Sequence, residues 1–265
     1  MSLPRIWSSA ANPSPAAVPG PAGSRPRPQL VSLPAGLPSL ADLFTFARDA
    51  ELRFDTLRAR IEERSAGALG ERVVLTELAI RHPGHARTLT SEPALGTAAN
   101  YEIWVSDGEM IRTYSATHRK ATERPVRNRV RGLNESGIPA TSRVYEPFTV
   151  LAEPSVANTF MHPAGYCQNV LATGSCRVVG TDVVADREAI VVECDHPRTT
   201  QLAGDRPDYS ISVAFDRADG VITRLVERLD GAVTREIAVV AYETNVVLPD
   251  STFEIAVPEG THLLY

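Results

Sequence analysis

The sequence predicts an α+β fold in which an open, twisted antiparallel sheet wraps on one long amphipathic helix. Three observations support this prediction. Apolar residues recur at helical spacing after residue 39, whereas from residue 73 onwards they alternate with polar residues as in half-buried strands. Asp-Gly pairs interrupt the alternating segments where hairpins should turn. Strands that follow one another without intervening helices favour an antiparallel meander over a doubly wound α/β sheet.

The predicted helix begins at Ser39, a suitable N-cap, and extends for about six turns to the glycines near residue 67. Arg48, Glu51 and Asp55 occupy its opposite face, as expected for a solvated surface. The apolar stripe must then lie on the sheet, either as ordinary core or as the floor of a lipid cavity. Its members are Leu40, Leu43, Phe44, Ala47, Ala50, Phe54, Leu57 and Ile61.

Two blocks of alternating residues predict the strands. The first block contains "RVVLTELAIRHPGHARTLTSE" and "NYEIWVSDGEMIRTYSA"; the second contains "CRVVGTDVVADREAIVVECDH", "DYSISVAFDRADGVITRLVERLDG" and "AVTREIAVVAYETN". Between the blocks lies an irregular insertion at about 124–176, in which "SVANTFMHPAGYC" can form one short helix. Long segments without clear periodicity are typical of functional loops or poorly ordered insertions.

Residues 1–38 are rich in proline, alanine, serine and glycine and contain no acidic residue. Because such a segment cannot bury enough apolar surface to offset the cost of ordering, we predict a disordered tether. The remaining residues, 39–265, are predicted to form a single domain with the insertion inside it.

Composition and charge argue against several classes of function. A net charge of −5 and a pI near 5.7 disfavour general nucleic-acid binding, which needs a basic surface to neutralise phosphates. No apolar run reaches the roughly 18 residues of a transmembrane helix, and no glycine-rich phosphate loop is present. The first 30 residues lack the apolar core of a secretory signal. The compartment therefore stays open between the cytoplasm and a start downstream of a leader.

No catalytic or metal site is predicted. Cys167, Cys176 and Cys194 lack the spacing of a zinc or thioredoxin-like site, and no G-x-S-x-G elbow marks a nucleophilic serine. Cys176 and Cys194 border the arms of a predicted hairpin and could form a disulfide, whereas Cys167 and Cys176 could instead close a surface loop. An exported protein could contain one such bond, but in the cytoplasm the thiols should be reduced and buried. His82 and His85 are expected to be surface histidines.

A row of arginines interrupts the otherwise acidic chain. Arg127, Arg129 and Arg131 alternate with other residues, so a strand would place three guanidinium groups on one face. Guanidinium groups suit bidentate phosphate contacts, and the row could bind an anionic lipid headgroup or a membrane surface. The alternative, a charged edge strand that keeps an open sheet soluble, is the favoured interpretation.

Short motifs recur in order along the two strand blocks. They are Pro83-Gly84 followed by Arg87, the Asp107-Gly108 hairpin before Tyr114, and the C-terminal Asp250, Phe253, Pro258 and Gly260. Over residues 39–118 and 177–265 this pattern resembles the outer-membrane lipoprotein carrier superfamily, which includes LolA, RseB-like proteins and mycobacterial lipid-binding lipoproteins. Members of this family are normally exported, and the 124–176 insertion has no counterpart in the family pattern.

The resemblance implies a half-open β-barrel, curled around one long helix and one or two short ones, with an apolar cavity between sheet and helices. It implies non-enzymatic binding of a lipid, a lipoprotein acyl chain or another hydrophobic ligand, by a carrier or sensor in the cell envelope, without a cofactor. Partners would be a lipid or lipidated protein, a membrane surface or a regulatory protein. The cavity residues are then expected to be Leu43, Phe44, Ala47, Phe54, Leu57, Trp104 and Tyr114.

Two other functions stay open. One is an enzyme that acts on an apolar substrate through histidine or cysteine residues of the 124–176 insertion. The other is a regulatory β-domain that binds a protein partner. Among the three functions, lipid binding predicts that affinity rises with ligand chain length, by at most about 0.8 kcal/mol for each methylene.

Overall fold

The computed structural model describes residues 5–6, 30–67, 70–96, 99–126, 148–197 and 208–264. Arg127, Arg129 and Arg131 lie outside the described residues, as does most of the predicted tether. The end of the tether that is described contacts the domain, because Arg217 donates to the carbonyls of residues 34, 35 and 36 at 2.6 to 3.0 Å. The division into a tether and one domain remains a prediction.

Within these described ranges, twelve strands form one sheet, and a two-stranded pair lies apart from it. The order across the large sheet is β14-β7-β6-β5-β4-β3-β2-β12-β11-β10-β9-β8, and β1 pairs with β13. The bounds are β1 (Arg5–Ile6), β2 (Thr56–Gly67), β3 (Gly70–Arg81), β4 (His85–Ser91), β5 (Tyr101–Asp107), β6 (Met110–Ser115), β7 (Lys120–Pro125), β8 (Ser175–Val184), β9 (Arg187–Asp195), β10 (Tyr209–Asp216), β11 (Ile222–Leu229), β12 (Ala232–Thr244), β13 (Ala256–Val257) and β14 (His262–Leu264).

Two meanders build the sheet and meet in its middle. The first runs from β2 to β7 and the second from β8 to β12, and β12 pairs antiparallel with β2. The last strand, β14, lies parallel to β7, so the sheet is mostly rather than wholly antiparallel. In the described part of the chain β14 and β8 form opposite edges, and the sheet does not close into a barrel. The predicted open, largely antiparallel sheet is therefore confirmed.

The predicted long helix is wrong beyond residue 48. Helix α1 spans Leu40–Arg48, a 3-10 turn covers Ala50–Leu52, and the chain then enters β2. The predicted N-cap is correct, since the Ser39 hydroxyl accepts a hydrogen bond from the Asp42 amide at 3.1 Å. One helix of about six turns is replaced by a helix of nine residues and a twelve-residue strand.

The misassigned segment satisfies two periodicities at once. Leu57 and Ile61 are four residues apart, as on one face of a helix, but Ala59 between them completes the alternation of a strand. All three side chains are buried. Strand β2 forms hydrogen-bonded ladders with β3 on one side and β12 on the other, and these bonds satisfy its backbone on both edges. Tertiary pairing therefore decides between two patterns that the sequence allows.

Three helices cover one face of the sheet, which we call the inner face and which carries Leu57, Leu78 and Leu225. Helix α2 spans Val156–Met161 and α3 spans Pro163–Asn169, so the 124–176 insertion holds two short helices. Both pack in the same hydrophobic cluster as α1. The outer face of the first meander is covered by the chain that follows β12, through Leu248, Phe253, Ile255 and Val257.

Two of the predicted turn motifs touch each other. Gly84 and Gly108 have φ angles of +86° and +91°, which side chains rarely allow. A Cβ atom on Gly84 would lie 2.7 Å from the Cα atom of Gly108. The β3–β4 and β5–β6 turns can therefore approach this closely only because residue 84 has no side chain, whereas a Cβ atom on Gly108 would lie 3.4 Å from Gly84 Cα, an ordinary contact distance.

Cys176 and Cys194 form a disulfide, which is the first of the two pairings that the sequence left open. They are direct partners on β8 and β9, with Cα atoms 4.0 Å apart. Cys167 on α3 is a buried free thiol. Burial raises the pKa of Cys167 to about 12, so this thiol stays protonated at neutral pH.

Candidate functional site

A cavity of about 920 Å³ lies between the inner face of the sheet and the two short helices. Its volume is at the upper end of the range of about 300–1,000 Å³ that is typical of small-molecule sites. Strands β3 to β7 and β14 contribute one wall, β2, β11 and β12 a second, and α2 with α3 a third. The cavity is thus formed by the sheet and the insertion, without a residue of α1 among those that border it.

The sheet wall of the cavity is rich in hydroxyl groups, because threonine occupies alternate positions on neighbouring strands. One cross-strand row consists of Thr88, Trp104, Thr113 and Thr122 on β4 to β7. The Oγ1 atoms of Thr113 and Thr122 are 2.6 Å apart. Thr76 and Thr90 are partners on β3 and β4, with Oγ1 atoms 3.4 Å apart. Hydroxyl pairs of this kind satisfy each other's hydrogen-bonding capacity within the sheet wall.

The helical wall is more apolar and is fixed by local capping. Val156 and Phe160 on α2 and Val170 after α3 border the cavity. The Ser155 hydroxyl caps α2 by accepting a hydrogen bond from the Asn158 amide at 3.1 Å. Pro163 begins α3, where its fixed φ and missing N–H are tolerated, and this turns the chain between the two helices. Further lining residues of this wall are Ala152, Pro154, Ala157, Thr159, Tyr166 and Asn169.

An ion triad borders the cavity on the central strands. Arg235 Nε lies 2.8 Å from Glu63 Oε1, and Arg235 Nη1 lies 3.3 Å from Glu227 Oε1. Burial alone would lower the pKa of Arg235, but the hydrogen bonds and charges of Glu63 and Glu227 outweigh it and raise the pKa. Burial, followed by the charge of Glu227, also raises the pKa of Tyr166, whose buried hydroxyl has no hydrogen-bond partner among the described residues.

Most of the predicted cavity residues lie elsewhere. Leu43, Ala47 and Leu57 are completely buried and Phe54 is 4% exposed, all in the closed core that packs under α1. Phe44 is half-buried and packs against the same core. Phe46, which the predicted stripe omits, is 3% exposed instead. The α1 stripe therefore forms dry core and does not border the cavity. The reason is that the chain leaves the helix at residue 48, so the stripe ends before it reaches the threonine rows.

Trp104 and Tyr114 do border the cavity. Trp104 lies in the threonine row and is 9% exposed. The ring of Tyr114 lies on the outer face, with its centroid 5.9 Å from that of Tyr101. Sequence reasoning missed the threonines, although the period-2 hydroxyl residues in "ARTLTS" (Thr88, Thr90) and "IRTYS" (Thr113, Ser115) were a usable signal. It could not place the helical wall, because the insertion has no clear periodicity.

His82 is half-buried rather than a surface residue, contrary to expectation. Its ring stacks on Phe54 at 5.2 Å between centroids, and its Nδ1 atom lies 2.7 Å from Thr149 Oγ1. Burial lowers the pKa of His82, against the opposing charge of Glu51. His162, at the turn between α2 and α3, lies 3.4 Å from the same Glu51 carboxylate. Across the described ranges no three potential ligands converge as a metal site would require.

Comparison with known proteins gives structural matches alone. No family model and no curated protein matches the chain. It is similar to the crystal structure of MucB, at 13% identity and a TM-score of 0.47, over 81% of this chain and 62% of MucB. It thus spans less than two thirds of the length of MucB. MucB has also been crystallised in complex with MucA(peri).

Two further solved structures are similar to this chain. Mycobacterium tuberculosis lipoprotein LppX matches 80% of this chain and 100% of its own, at 10% identity and a TM-score of 0.41. A LolA superfamily protein from Nitrosomonas europaea matches 81% of this chain and 97% of its own, at 10% identity and a TM-score of 0.32.

No helix in the described ranges is long and apolar enough to cross a membrane.

Proposed function

We propose that this protein binds the hydrocarbon part of a lipid or another amphiphile in the cavity between the sheet and α2–α3, without chemically changing it. The observation that carries the proposal is the cavity itself, which is large and joins an apolar helical wall to a wall of threonine methyl groups and Trp104. Burial of hydrocarbon there would supply at most about 0.8 kcal/mol for each methylene before the costs of binding. Hydroxyl and charged groups at the margins would meet the polar end of the ligand.

We further propose that the protein acts as a carrier or as a sensor in an extracytoplasmic compartment. The Cys176–Cys194 disulfide supports this location, because disulfides persist in oxidising compartments. Contact of Arg127, Arg129 and Arg131 with an anionic headgroup or a membrane surface remains a prediction. A regulatory protein partner is compatible with a sensor, since ligand occupancy could alter the packing of α2 and α3.

The enzyme alternative receives less support from the insertion. Its one free cysteine, Cys167, is buried with a raised pKa and is therefore a poor nucleophile. Both ring nitrogens of His162 face other side chains of the fold. The Nδ1 atom lies 2.9 Å from Asn158 Oδ1, and the Nε2 atom faces the Glu51 carboxylate. Neither residue borders the cavity.

Alkyl amphiphiles of increasing chain length test the proposal when their binding to the unmodified protein is compared with binding to a variant whose cavity is blocked. Delipidated protein should bind alkyl amphiphiles with an affinity that rises with chain length, measured by calorimetry below the critical micelle concentration. Thr113→Phe places a bulky ring on the cavity wall and should reduce affinity at least tenfold for the longest chain, or 1.4 kcal/mol. Thr181→Phe, on the exposed β8 edge, is the matched control and should bind like the unmodified protein.

Two results would overturn the proposal. Affinity that does not depend on chain length would mean that hydrocarbon burial does not drive binding. Equal affinity of the Thr113→Phe and Thr181→Phe variants would place the ligand outside this cavity. Absence of any binding would leave a β-domain that binds a protein partner as the better account.

A further inference from the structure

One cross-strand row on the cavity wall carries two opposite charges and a hydroxyl. Glu102 on β5 pairs with Ser115 on β6, and Ser115 pairs with Lys120 on β7. All three residues border the cavity, and we call them the charged row. Because neighbouring strands are about 4.8 Å apart, the backbones of Glu102 and Lys120 lie about 9–10 Å apart on the same face.

The two charges of this row have no ion-pair partner within the described residues. Lys120 and Glu102 are both exposed, and neither forms a salt bridge there. The opposite face of the same strands is different, because Arg112 lies 2.7 Å from Asp107 and 2.9 Å from Glu123. The fold thus pairs these outer-face charges, and beside the cavity it pairs Arg235 with Glu63 and Glu227, but among the described residues it leaves Lys120 and Glu102 without an ion-pair partner. Lys120 is also the only lysine in the sequence.

Ser115, between the two charges, has a buried hydroxyl oxygen without a hydrogen-bond partner in the described part of the chain. A buried polar atom left unpaired is unfavourable, and native proteins seldom contain one without a reason. A polar group of a ligand seated on the row could supply the missing partner.

The charges around the cavity argue against a purely anionic ligand. Among the described residues, its margins carry three carboxylates, Glu63, Glu102 and Glu227, against the two cations Arg235 and Lys120. With histidine counted as neutral, these described residues carry one net negative charge. Arg235 is already held by Glu63 and Glu227, so Lys120 is the lining cation of the described ranges that is left for an anionic group. An anionic group at Lys120 would therefore lie near the open carboxylate of Glu102, unless the ligand also brings a positive charge.

We propose that the charged row binds the headgroup of a zwitterionic amphiphile. The anionic group of the ligand lies at Lys120, its cationic group lies toward Glu102, and an oxygen between them accepts a hydrogen bond from Ser115. The hydrocarbon then extends over the adjacent row of Thr88, Trp104, Thr113 and Thr122. This inference rests on the proposed function and specifies the class of ligand.

The single lysine allows a direct footprint of the site. The full chain is acetylated with an amine-reactive ester, and the rate at Lys120 is measured by peptide mass spectrometry, with the N-terminal amine as internal reference. Twelve-carbon amphiphiles with zwitterionic, anionic, cationic and uncharged headgroups are compared, for example dodecylphosphocholine, dodecyl phosphate, dodecyltrimethylammonium and dodecyl maltoside. We expect dodecylphosphocholine to slow acetylation of Lys120 most, with the N-terminal rate unchanged.

Charge variants assign the two halves of the headgroup. Lys120→Gln and Glu102→Gln should each lower the affinity for dodecylphosphocholine about two- to fivefold, as expected for partly exposed ion pairs. Glu102→Gln should in addition raise the affinity for dodecyl phosphate. Glu109→Gln, an exposed carboxylate in the β5–β6 turn, is the matched control and should change neither. The differences should shrink at high salt, because exposed charges are screened over about 10 Å at 0.1 M.

The outcomes separate this inference from the proposed function. Equal binding of all four amphiphiles, with the row variants unchanged, would overturn the charged row and leave the cavity intact. Tightest binding of dodecyl phosphate, unaffected by Glu102→Gln, would show an anion site and also overturn it. If none of the four amphiphiles binds, the proposed function fails together with the inference drawn from it.

Discussion

The inner face of the sheet has a dry part and a hollow part, although one continuous hydrophobic cluster joins them. Under α1, Leu43, Phe54 and Leu57 fill the space completely. Under α2 and α3, threonines and Trp104 face a cavity of about 920 Å³. The difference follows from side-chain size and from the length of the covering helices. Large apolar residues close the first part, whereas short β-branched residues under two short helices leave the second part open.

This comparison assigns stability to one part and binding to the other. Residues under α1 should contribute mainly to the free energy of unfolding, and residues around the cavity mainly to ligand affinity. Substitutions in the two parts should therefore change different measured quantities.

Truncation in the dry part should have the largest effect. Phe54→Ala should lower the free energy of unfolding by about 3–5 kcal/mol, because it removes a buried ring from closely packed core. Phe44→Ala, at a half-buried position on α1, should cost about 1 kcal/mol or less. Urea melts at neutral pH measure both values. Equal losses for the two variants would contradict the assignment of Phe54 to closely packed core and of Phe44 to a half-buried position.

The disulfide should come next in size. Cys176 and Cys194 are 18 residues apart in sequence, and a loop of that length is stabilised by about 3 kcal/mol. Reduction, or replacement of both residues by serine, should therefore lower the unfolding free energy by that amount. Cys167→Ala serves as the control and should leave the response to a reductant intact. A melt insensitive to reductant would show that the bond is absent in solution.

A smaller effect should appear as a pH dependence. The folded-state pKa of His82 lies below its ordinary value because the ring is buried, so protonation favours the unfolded state. The stability contribution of neutral His82 is therefore complete above about pH 6.5 and falls as the pH drops through that value. Glu51, Asp55 and His162 face the same ring and modulate the shift.

His82→Asn tests this titration, because the amide can replace Nδ1 opposite Thr149 and does not ionise. Between pH 7.5 and 5.5 the variant should lose less stability than the unmodified protein in paired thermal melts. His85→Asn, on the same turn, provides the comparison. Parallel pH profiles for unmodified protein and His82→Asn would refute the assignment.

Deletion of the tether should have the smallest effect. Removing residues 1–29 takes away β1, whose two residues pair with β13 apart from the large sheet, and should lower the unfolding free energy by about 0.5–1 kcal/mol. Removing residues 1–38 should cost more, about 1–2 kcal/mol, because Arg217 and Arg53 lose carbonyl acceptors in residues 31–36. Urea melts of both truncated chains measure the difference. Similar losses would show that these arginine contacts do not contribute.

Much of the sheet could be predicted from sequence, because alternation and turn chemistry are local signals. The Asp107-Gly108 turn and the hairpin at Asp230-Gly231 lie where the pattern placed them. The β2 strand could not be predicted in the same way, since Leu57 and Ile61 fit both periods and pairing with β12 comes from residues about 180 positions away. Local rules cannot weigh such distant hydrogen bonds.

A cavity between the sheet and the helices was predicted, but the residues that border it were mostly not. Its location between sheet and helices was expected, yet the helices in question are α2 and α3, whose residues lie in an aperiodic, proline-rich segment. The charged row was also missed, because Glu102, Ser115 and Lys120 become neighbours only through strand register. Whether a strand residue lines the cavity depends on the face of the sheet on which it lies and on the strands beside it. Both are known only once the strand pairing and register are known.

Fluorescence quenching of Trp104 shows directly whether the hydrocarbon chain of a ligand enters the cavity. The sequence has two tryptophans, so a Trp7→Phe variant reports from Trp104 alone. A phosphocholine amphiphile brominated along its chain should quench this fluorescence in a saturable manner, and Thr113→Phe should weaken the quenching while Thr181→Phe should not. Binding of the same amphiphile, detected by calorimetry, without quenching of Trp104 would place the ligand elsewhere and contradict the proposed site.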